Sequence, residues 1–341
     1  MQIMTENKKT SLTGIKPTNL PHIGNYLGAI RPALRMAGEY KTLYFIADYH
    51  ALTSIHDAAK MRQHVHDVAA SWLACGLDPN ETILFRQSDI PEVFELAWVF
   101  ACLFNVGHLE RSHAYKDAIA KGAEANVGLF NYPLLMAADI VLYGTDEVPV
   151  GKDQQQHIEI ARDVATRLNH RFGEGTVVVP KARITEAPLV PGTDGQKMSK
   201  SLGNTIPLFD PPKRLRKAVM GIKTSSEDLE APKEPKGSTV FELYQLIASP
   251  GDTDVLAEKL RAGGYGWGHA KGDLYEALEA EIAPMREKFE DLRNEADVLD
   301  DILDSGAAKA RVIANRTMRR VRDAIGISPA RHGGKKTVRI K

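Results

Sequence analysis

GIKPTNLPHIGNYLGAI, Gly14–Ile30, reads as the end of a strand, a stiff loop and the start of a helix. Pro17 and Pro21 fix φ at two points, so the loop is extended. Gly24 lets backbone approach a ligand closely. The helix that follows, expected over 24–39, offers unpaired N–H groups and a positive dipole end to an anion. His22 stands at that mouth, where it could donate to a phosphate oxygen or a ribose hydroxyl. A lone loop histidine is equally compatible with a structural or solvated role. No Walker lysine follows and no GxGxxG is present, so any nucleotide site here lacks the usual phosphate loop.

Outward from this stretch, short β-rich runs alternate with helix-period runs. The strands are expected at 10–15, 43–48, 82–87, 147–151 and 176–180, and the helices at 24–39, 57–75, 91–105, 132–143 and 153–172. This alternation predicts an α/β fold, a Rossmann-like doubly wound parallel sheet with right-handed crossovers. Ligands of such sheets bind beyond the carboxyl ends of the strands. That rule selects the 14–25 loop, Asp48–Thr53, the segment after Arg86, and Gly151–Gln154. The composition changes at 181–209, which is rich in Pro, Gly, Thr and Asp and reads as a mobile loop. Asp210 with the two prolines after it starts a helix, and helix-like segments continue to about 326. The expected division is a catalytic domain at 1–204 and an all-helical domain at 205–341, its last helix returning to the first.

The chain has 341 residues with 44 basic and 44 acidic side chains, so no global polyelectrolyte partner is indicated. The charge is uneven, however. Residues 274–304 hold eleven acidic and three basic side chains, and 305–341 hold eleven basic and one acidic. These are either balanced solvated faces or a phosphate-contacting surface. The two cysteines, Cys75 and Cys102, form no CxxC, which argues against a zinc site or a disulfide framework; both read as small buried hydrophobes. The opening MQIMTENKKTS is polar, and no run reaches about 18 apolar residues. A soluble cytoplasmic protein is expected.

Two further stretches carry chemistry. KMSKS, Lys197–Met198–Ser199–Lys200–Ser201, sets two lysines among hydroxyls in a Gly/Pro-rich loop. It suits a polyphosphate whose charge grows during reaction, under a loop that closes and excludes water. In NYPLLMAADIVLYGTDEVPVGKDQQQH, Asp139 is the only charge between 131 and 145. Helical spacing aligns Tyr132, Met136, Asp139 and Tyr143 on one stripe. A carboxylate there needs a donor, either a basic group of the protein or an N–H or O–H on a flat apolar ligand. Gly151, Asp153 and Gln154 follow a strand and could face a ribose.

Taken together, PHIGN (21–25) resembles the HIGH box, and KMSKS (197–201) is an intact second box. YPLLMAADIVLY (132–143) and VPVGKDQQQH (148–157) resemble the amino-acid-pocket and GxDQ elements. In this order they resemble the class I aminoacyl-tRNA synthetases, most closely their bacterial-type tryptophanyl members. The resemblance implies an ATP-dependent ligase that forms tryptophanyl-adenylate and pyrophosphate and charges tRNA(Trp), with Mg2+ carried on ATP. It implies that Lys16, Pro17, Thr18, Gly24, Asn25, Gly151, Lys152, Asp153, Ile184 and Lys197–Ser201 contact ATP. His22, Lys197 and Lys200 would be catalytic, while Asp139, Met136, Tyr132, His50 and Gln154 would form the tryptophan site. A homodimer is implied, with neither a membrane nor DNA as partner. Lys16 stands where that group usually has glutamine, and Ala118 follows Lys116–Asp117 where many relatives have a lysine, so Lys116 or Lys121 could substitute. The alternatives are a tyrosine-activating enzyme, a HIGH-type nucleotidyltransferase acting on a small metabolite, and a non-catalytic tRNA-binding relative.

Overall fold

The structure is a computed structural model that describes residues 8–111, 113–120, 122, 126–151, 154–184 and 188–327. β1 spans Thr10–Ile15 and leads to α1 (Ile23–Asn25), a π turn (Tyr26–Ile30) and α2 (Arg31–Met36). β2 (Lys41–Ile46), α3 (Asp48–Ala51), α4 (Ala58–Ala74) and β3 (Ile83–Arg86) follow. Next come α5 (Glu92–Leu103), α6 (Val106–Glu110), α7 (His113–Ala120), α8 (Val127–Leu142), β4 (Glu147–Val150), α9 (Gln155–Phe172) and β5 (Lys181–Ile184). The remaining helices are α10 (Pro212–Met220), α11 (Thr239–Ile247), α12 (Pro250–Ala262), α13 (Trp267–Asn294) and α14 (Ala296–Ile325).

The strands form one five-stranded sheet in the order β3-β2-β1-β4-β5. Leu43 pairs with Ile83, Ser11 with Glu147, and Glu147 with Lys181, each in parallel. The order reverses at β1, as a doubly wound sheet requires. β2 is almost wholly buried, which matches a strand covered on both faces.

Two elements differ from the sequence expectation. The run TVVVP (176–180) is not a strand; the fifth strand is Lys181–Ile184. Asn169 holds both polar groups of Val177, its amide donating to the Val177 carbonyl and its carbonyl accepting from the Val177 N–H, each at 2.9 Å. Those groups are therefore spent on a side chain rather than a ladder, and Pro180 has no N–H to pair. The expected helix 24–39 is interrupted by the π turn at Tyr26–Ile30. Pro32 cannot donate to a carbonyl four residues back, and its ring crowds that turn.

By internal contacts the chain forms two compact units, which interleave along the sequence. The first contains Thr13–Ser88 and the described residues of Thr185–Gly306. Its apolar core joins Ile23, Leu27, Ile46, Leu73 and Leu84 to Leu215, Leu243, Leu274, Ile282 and Leu303. Helix α13 packs on α4, α10 and α11. Gly306 of α14 lies against the Leu84 carbonyl so closely that a Cβ would collide with it.

The second unit contains Lys9–Leu12, Asp89–Ile184 and the described part of α14 from Ala307 onward. Here α8 packs on α5 and α9, and α9 on β5. Arg322 binds the Glu95 carboxylate through two nitrogens, with Nε to Oε1 at 2.7 Å. Arg320 donates to the Thr176 carbonyl at 3.1 Å, and Arg311 to the Asp89 carbonyl. Three arginines of the basic stretch thus bond within this unit, although Arg311 and Arg320 are exposed like Arg316 and Arg319. Cys75 is buried as expected, but Cys102 is exposed, because it lies on the outer face of α5 with Trp98.

Candidate active site

In the first unit the loop after β1 and the KMSKS strip are held against one another. His22 is 8% exposed. Its Nδ1 accepts from the Asn25 N–H (3.3 Å), and its own N–H donates to Asn25 Oδ1 (3.1 Å). This reciprocal cap leaves the ring proton on Nε2, the atom available to a ligand. Burial first, and the nearby Lys200 charge second, lower the His22 pKa to about 4. The ring is therefore neutral at pH 7, a hydrogen-bond donor rather than a cation.

The N–H groups expected to await an anion are satisfied inside the protein. Ile23 donates to the Ile206 carbonyl (2.9 Å), Asn25 to His22, and Gly24 to Met198 Sδ (3.2 Å). Gly24 is confined as well: a Cβ there would lie 2.9 Å from His22 Nδ1 and 3.1 Å from Met198 Cβ. Lys200 Nζ reaches the carbonyls of Asn19 (2.9 Å) and Leu20 (2.7 Å), and desolvation lowers its pKa. So the HIGH-like loop and the KMSKS strip are joined by Met198 and Lys200.

Asn204, which sequence reasoning did not select, shapes the strip. It is buried; its Oδ1 accepts from the Ser199 N–H (2.7 Å), and its Nδ2 donates to Asp194 (2.7 Å) and the Lys197 carbonyl (3.2 Å). Backbone bonds Met198 to Val190 and Gly192 to Gln196 fold the preceding segment into a tight bend. The Gly/Pro-rich composition that reads as looseness is here used for close packing. Ser199 and Ser201 pair through their hydroxyls at 2.8 Å. The Lys197 ammonium is exposed and has no hydrogen-bonding partner among the described residues.

Lys16 follows β1 directly, with Pro17 buried and Thr18 exposed after it. Its Nζ lies 3.4 Å from Thr53 Oγ1, which donates to the His50 carbonyl at 2.9 Å. Lys16 is thereby placed beside His50 on α3, and desolvation lowers its pKa. Asp48, at the start of α3, accepts from the Ser88 N–H (3.1 Å) and hydroxyl, tying the end of β2 to the end of β3.

In the second unit α8 carries the aromatic stripe. Asp139 is 1% exposed, with Tyr132 and Met136 half-buried on the same helix. Tyr143 is buried, and burial, then the charges of Asp139 and Glu92, push its hydroxyl pKa well up. Tyr132 donates to His157 Nε2 (3.0 Å), and His157 Nδ1 donates to Gln154 Oε1 (2.9 Å). His157 was not selected from the sequence; its place three residues after Gln154 on a helix start was the available signal. The relay fixes the orientation of the Gln154 amide through its Oε1. Gly151 directly follows β4, and Ile184, 40% exposed, ends β5. Lys152 and Asp153, expected to contact ATP, lie outside the described residues, as does Lys121, while Lys116 is exposed.

Residues 4–283 match the family described as tRNA synthetases class I (W and Y). The tryptophan–tRNA ligase of Rhodopirellula baltica is 48% identical over 317 residues, covering 93% of this chain and 99% of that protein. That of Neisseria meningitidis is 44% identical over 335 residues, with 95% and 99% covered. The crystal structure of tryptophanyl-tRNA synthetase from Campylobacter jejuni complexed with ADP and tryptophan superposes with a TM-score of 0.89. Identity to it is 43%, and 93% of this chain and 99% of that one are covered. With both signature boxes in place and the match running through nearly the whole chain, this protein belongs to the class I tRNA synthetases for tryptophan and tyrosine, among the tryptophan–tRNA ligases.

Proposed function

We propose that the chain joins L-tryptophan to tRNA(Trp) in two steps, with the named residues in the following roles. Asp139 accepts from the indole N–H, Met136 and Tyr132 line the ring, and His50 and Gln154 border the amino group and carboxylate. Lys16, Pro17, Thr18, Gly24 and Asn25 form the floor of the nucleotide site, and Gly151, Lys152, Asp153 and Ile184 hold the adenosine. Lys197, Met198, Ser199, Lys200 and Ser201 cover the phosphates. The substrate is Mg·ATP. The Mg2+ is proposed to be carried on the phosphates, and among the described residues no group of three or more His, Cys, Asp or Glu is arranged to hold a metal ion.

In the first step the tryptophan carboxylate attacks the α-phosphorus in line, the bond to the bridging oxygen breaks, and pyrophosphate leaves. No protein nucleophile is required. The demands are alignment and stabilisation of phosphate charge. Neutral His22 donates from Nε2, and the Lys197 ammonium supplies charge without first breaking a protein contact. In the second step the terminal ribose hydroxyl of tRNA attacks the acyl carbon and AMP departs.

The single observation that carries this reading is the clasp of the KMSKS strip on the His22 loop through Met198 and Lys200. Residues 1–204 are assigned the chemistry and 205–341 the binding of the tRNA anticodon. A homodimer is proposed on the exposed apolar stripe of α5, where Trp98 is 72% and Phe94 39% exposed; patches of this kind mark interfaces. No DNA partner is proposed. No helix among the described residues is long and apolar enough to cross a membrane, and a cytoplasmic location is proposed. The test is amino-acid-dependent ATP–pyrophosphate exchange across all twenty amino acids. Exchange with tryptophan alone supports the proposal; exchange with tyrosine, or with none, defeats it.

A further inference from the structure

The π turn that follows the His22 cap is gripped at both ends by one carboxylate. Tyr26 opens the turn and Arg31 directly follows it. The Tyr26 hydroxyl donates to Glu281 Oε1, 255 residues away. Arg31 Nη1 lies 3.5 Å from the same oxygen, and its guanidinium sits 5.8 Å above the Tyr26 ring. Arg31 Nη2 also donates to the Leu246 carbonyl at 2.5 Å, near the end of α11. Tyr26 is 3% exposed, and the Arg31 and Glu281 side chains are 19% and 28% exposed. These are charge-assisted bonds in a mostly dry setting, where they are strong and directional.

What the clasp controls is set by chain geometry. Tyr26 is bonded directly to Asn25, and its N–H donates to the His22 carbonyl at 3.1 Å. A π turn is a rare single-turn departure from the α-helical hydrogen-bond ladder. The orientation of the His22–Asn25 cap therefore depends on how the following turn is anchored from outside. We infer that Glu281 is a positioning residue for tryptophan activation: from α13 it clasps Tyr26 and Arg31 and thereby holds His22 in its place in the nucleotide site. The inference rests on the activity proposed above. Glu281 touches neither ATP nor tryptophan; it acts on the reacting groups through Tyr26. With the Arg31 bond to Leu246, the clasp also ties the segment bearing His22 to α11 and α13, in the part assigned to tRNA.

The experiment uses the full-length protein and tryptophan-dependent pyrophosphate exchange, with wild type, Glu281→Ala, Glu281→Gln and Tyr26→Phe. A displacement of about 1 Å at reacting groups costs on the order of 10²-fold in rate. Glu281→Ala is expected to lose ~30–100-fold in kcat, with the KM for tryptophan kept within about twofold. Glu281→Gln, which still accepts from Tyr26, recovers part of that loss. Tyr26→Phe combined with Glu281→Ala is no worse than the poorer single variant, because both remove one interaction. Each is assayed well below its melting temperature, so that lost stability alone leaves kcat unchanged. Variants that melt earlier but keep wild-type kcat would overturn the positioning role while leaving the activity intact. Absence of exchange in the wild type would overturn the activity itself.

Discussion

In the proposed function the two compact units solve opposite recognition problems with opposite means. The unit bearing His22 and KMSKS presents exposed ammonium groups on loops held by backbone carbonyls and by Asn204. The unit bearing α8 presents one carboxylate, 1% exposed, on an otherwise apolar helix. Phosphates carry large charge that shifts during reaction, and many donors share it, so removing one weakens the site without abolishing it. An indole offers one N–H on a flat hydrocarbon. Telling it from other rings requires a desolvated acceptor whose partner cannot be replaced by water.

The sharpest way to break this contrast is Asp139→Ala. It should lower kcat/KM for tryptophan activation by about 10⁴ or more, as for a buried site built around one polar contact. Pyrophosphate exchange kinetics measure this, and a loss below tenfold would mean that Asp139 does not face the ligand. Next, His22→Ala and Lys197→Ala should each lower the exchange rate on the order of 10²–10³-fold, the usual cost of one placed donor. Tryptophan should still be preferred over tyrosine in both. If they lost that preference, the division between charge handling and selection would fail.

Two smaller effects probe the frameworks. Gly306→Ala should cost at least about 1–3 kcal/mol, because its Cβ meets the Leu84 backbone, which cannot yield as a flexible side chain would. Denaturant unfolding of the variant would check it, and an unchanged midpoint would remove the close contact from the account. Arg322→Ala in the second unit should cost roughly 1 kcal/mol or less, since its pair with Glu95 is about one-third exposed. That loss should shrink further in salt.

A pH series distinguishes the frameworks by chemistry. The folded pKa of His22, about 4, lies below its ordinary value of 6.5, so the native state binds fewer protons than the unfolded chain between those values. Its contribution is fully present above 6.5 and is lost as the pH falls towards about 4. His22→Gln should flatten the stability profile in that window, as thermal melts at stepped pH would show; an unchanged profile would mean that His22 is charged in the fold.

Much of this was legible in residue order. Strand and helix alternation predicted the sheet, but Asn169 captures Val177 where a strand was expected, the π turn at Tyr26–Ile30 interrupts the first helix, and α3, α6 and α7 were not anticipated. The stripe Tyr132–Met136–Asp139 was readable because a helix repeats every three to four residues. The boxes PHIGN and KMSKS were legible because their chemistry is local. His157, Asn204 and Glu281 were not. Their roles depend on which group each one meets; helical spacing from Gln154 was the one available sign for His157, and a glutamate on a long acidic helix carries none.

The sequence by itself determined the fold class and the lone carboxylate on α8, which rest on periodicity and residue type, while the pairing of a histidine loop with a lysine strip rested on the resemblance of PHIGN and KMSKS to the two class I boxes. Only the tertiary structure decided that the first N–H groups of the His22 helix are already bonded within the protein. It alone showed that Lys200 holds the opposite loop, and that Arg311, Arg320 and Arg322 are bonded within the protein rather than free. Charge is a property of a residue and can be read in order along a chain, whereas the partner of a charge is set by distance in space, which no local pattern records.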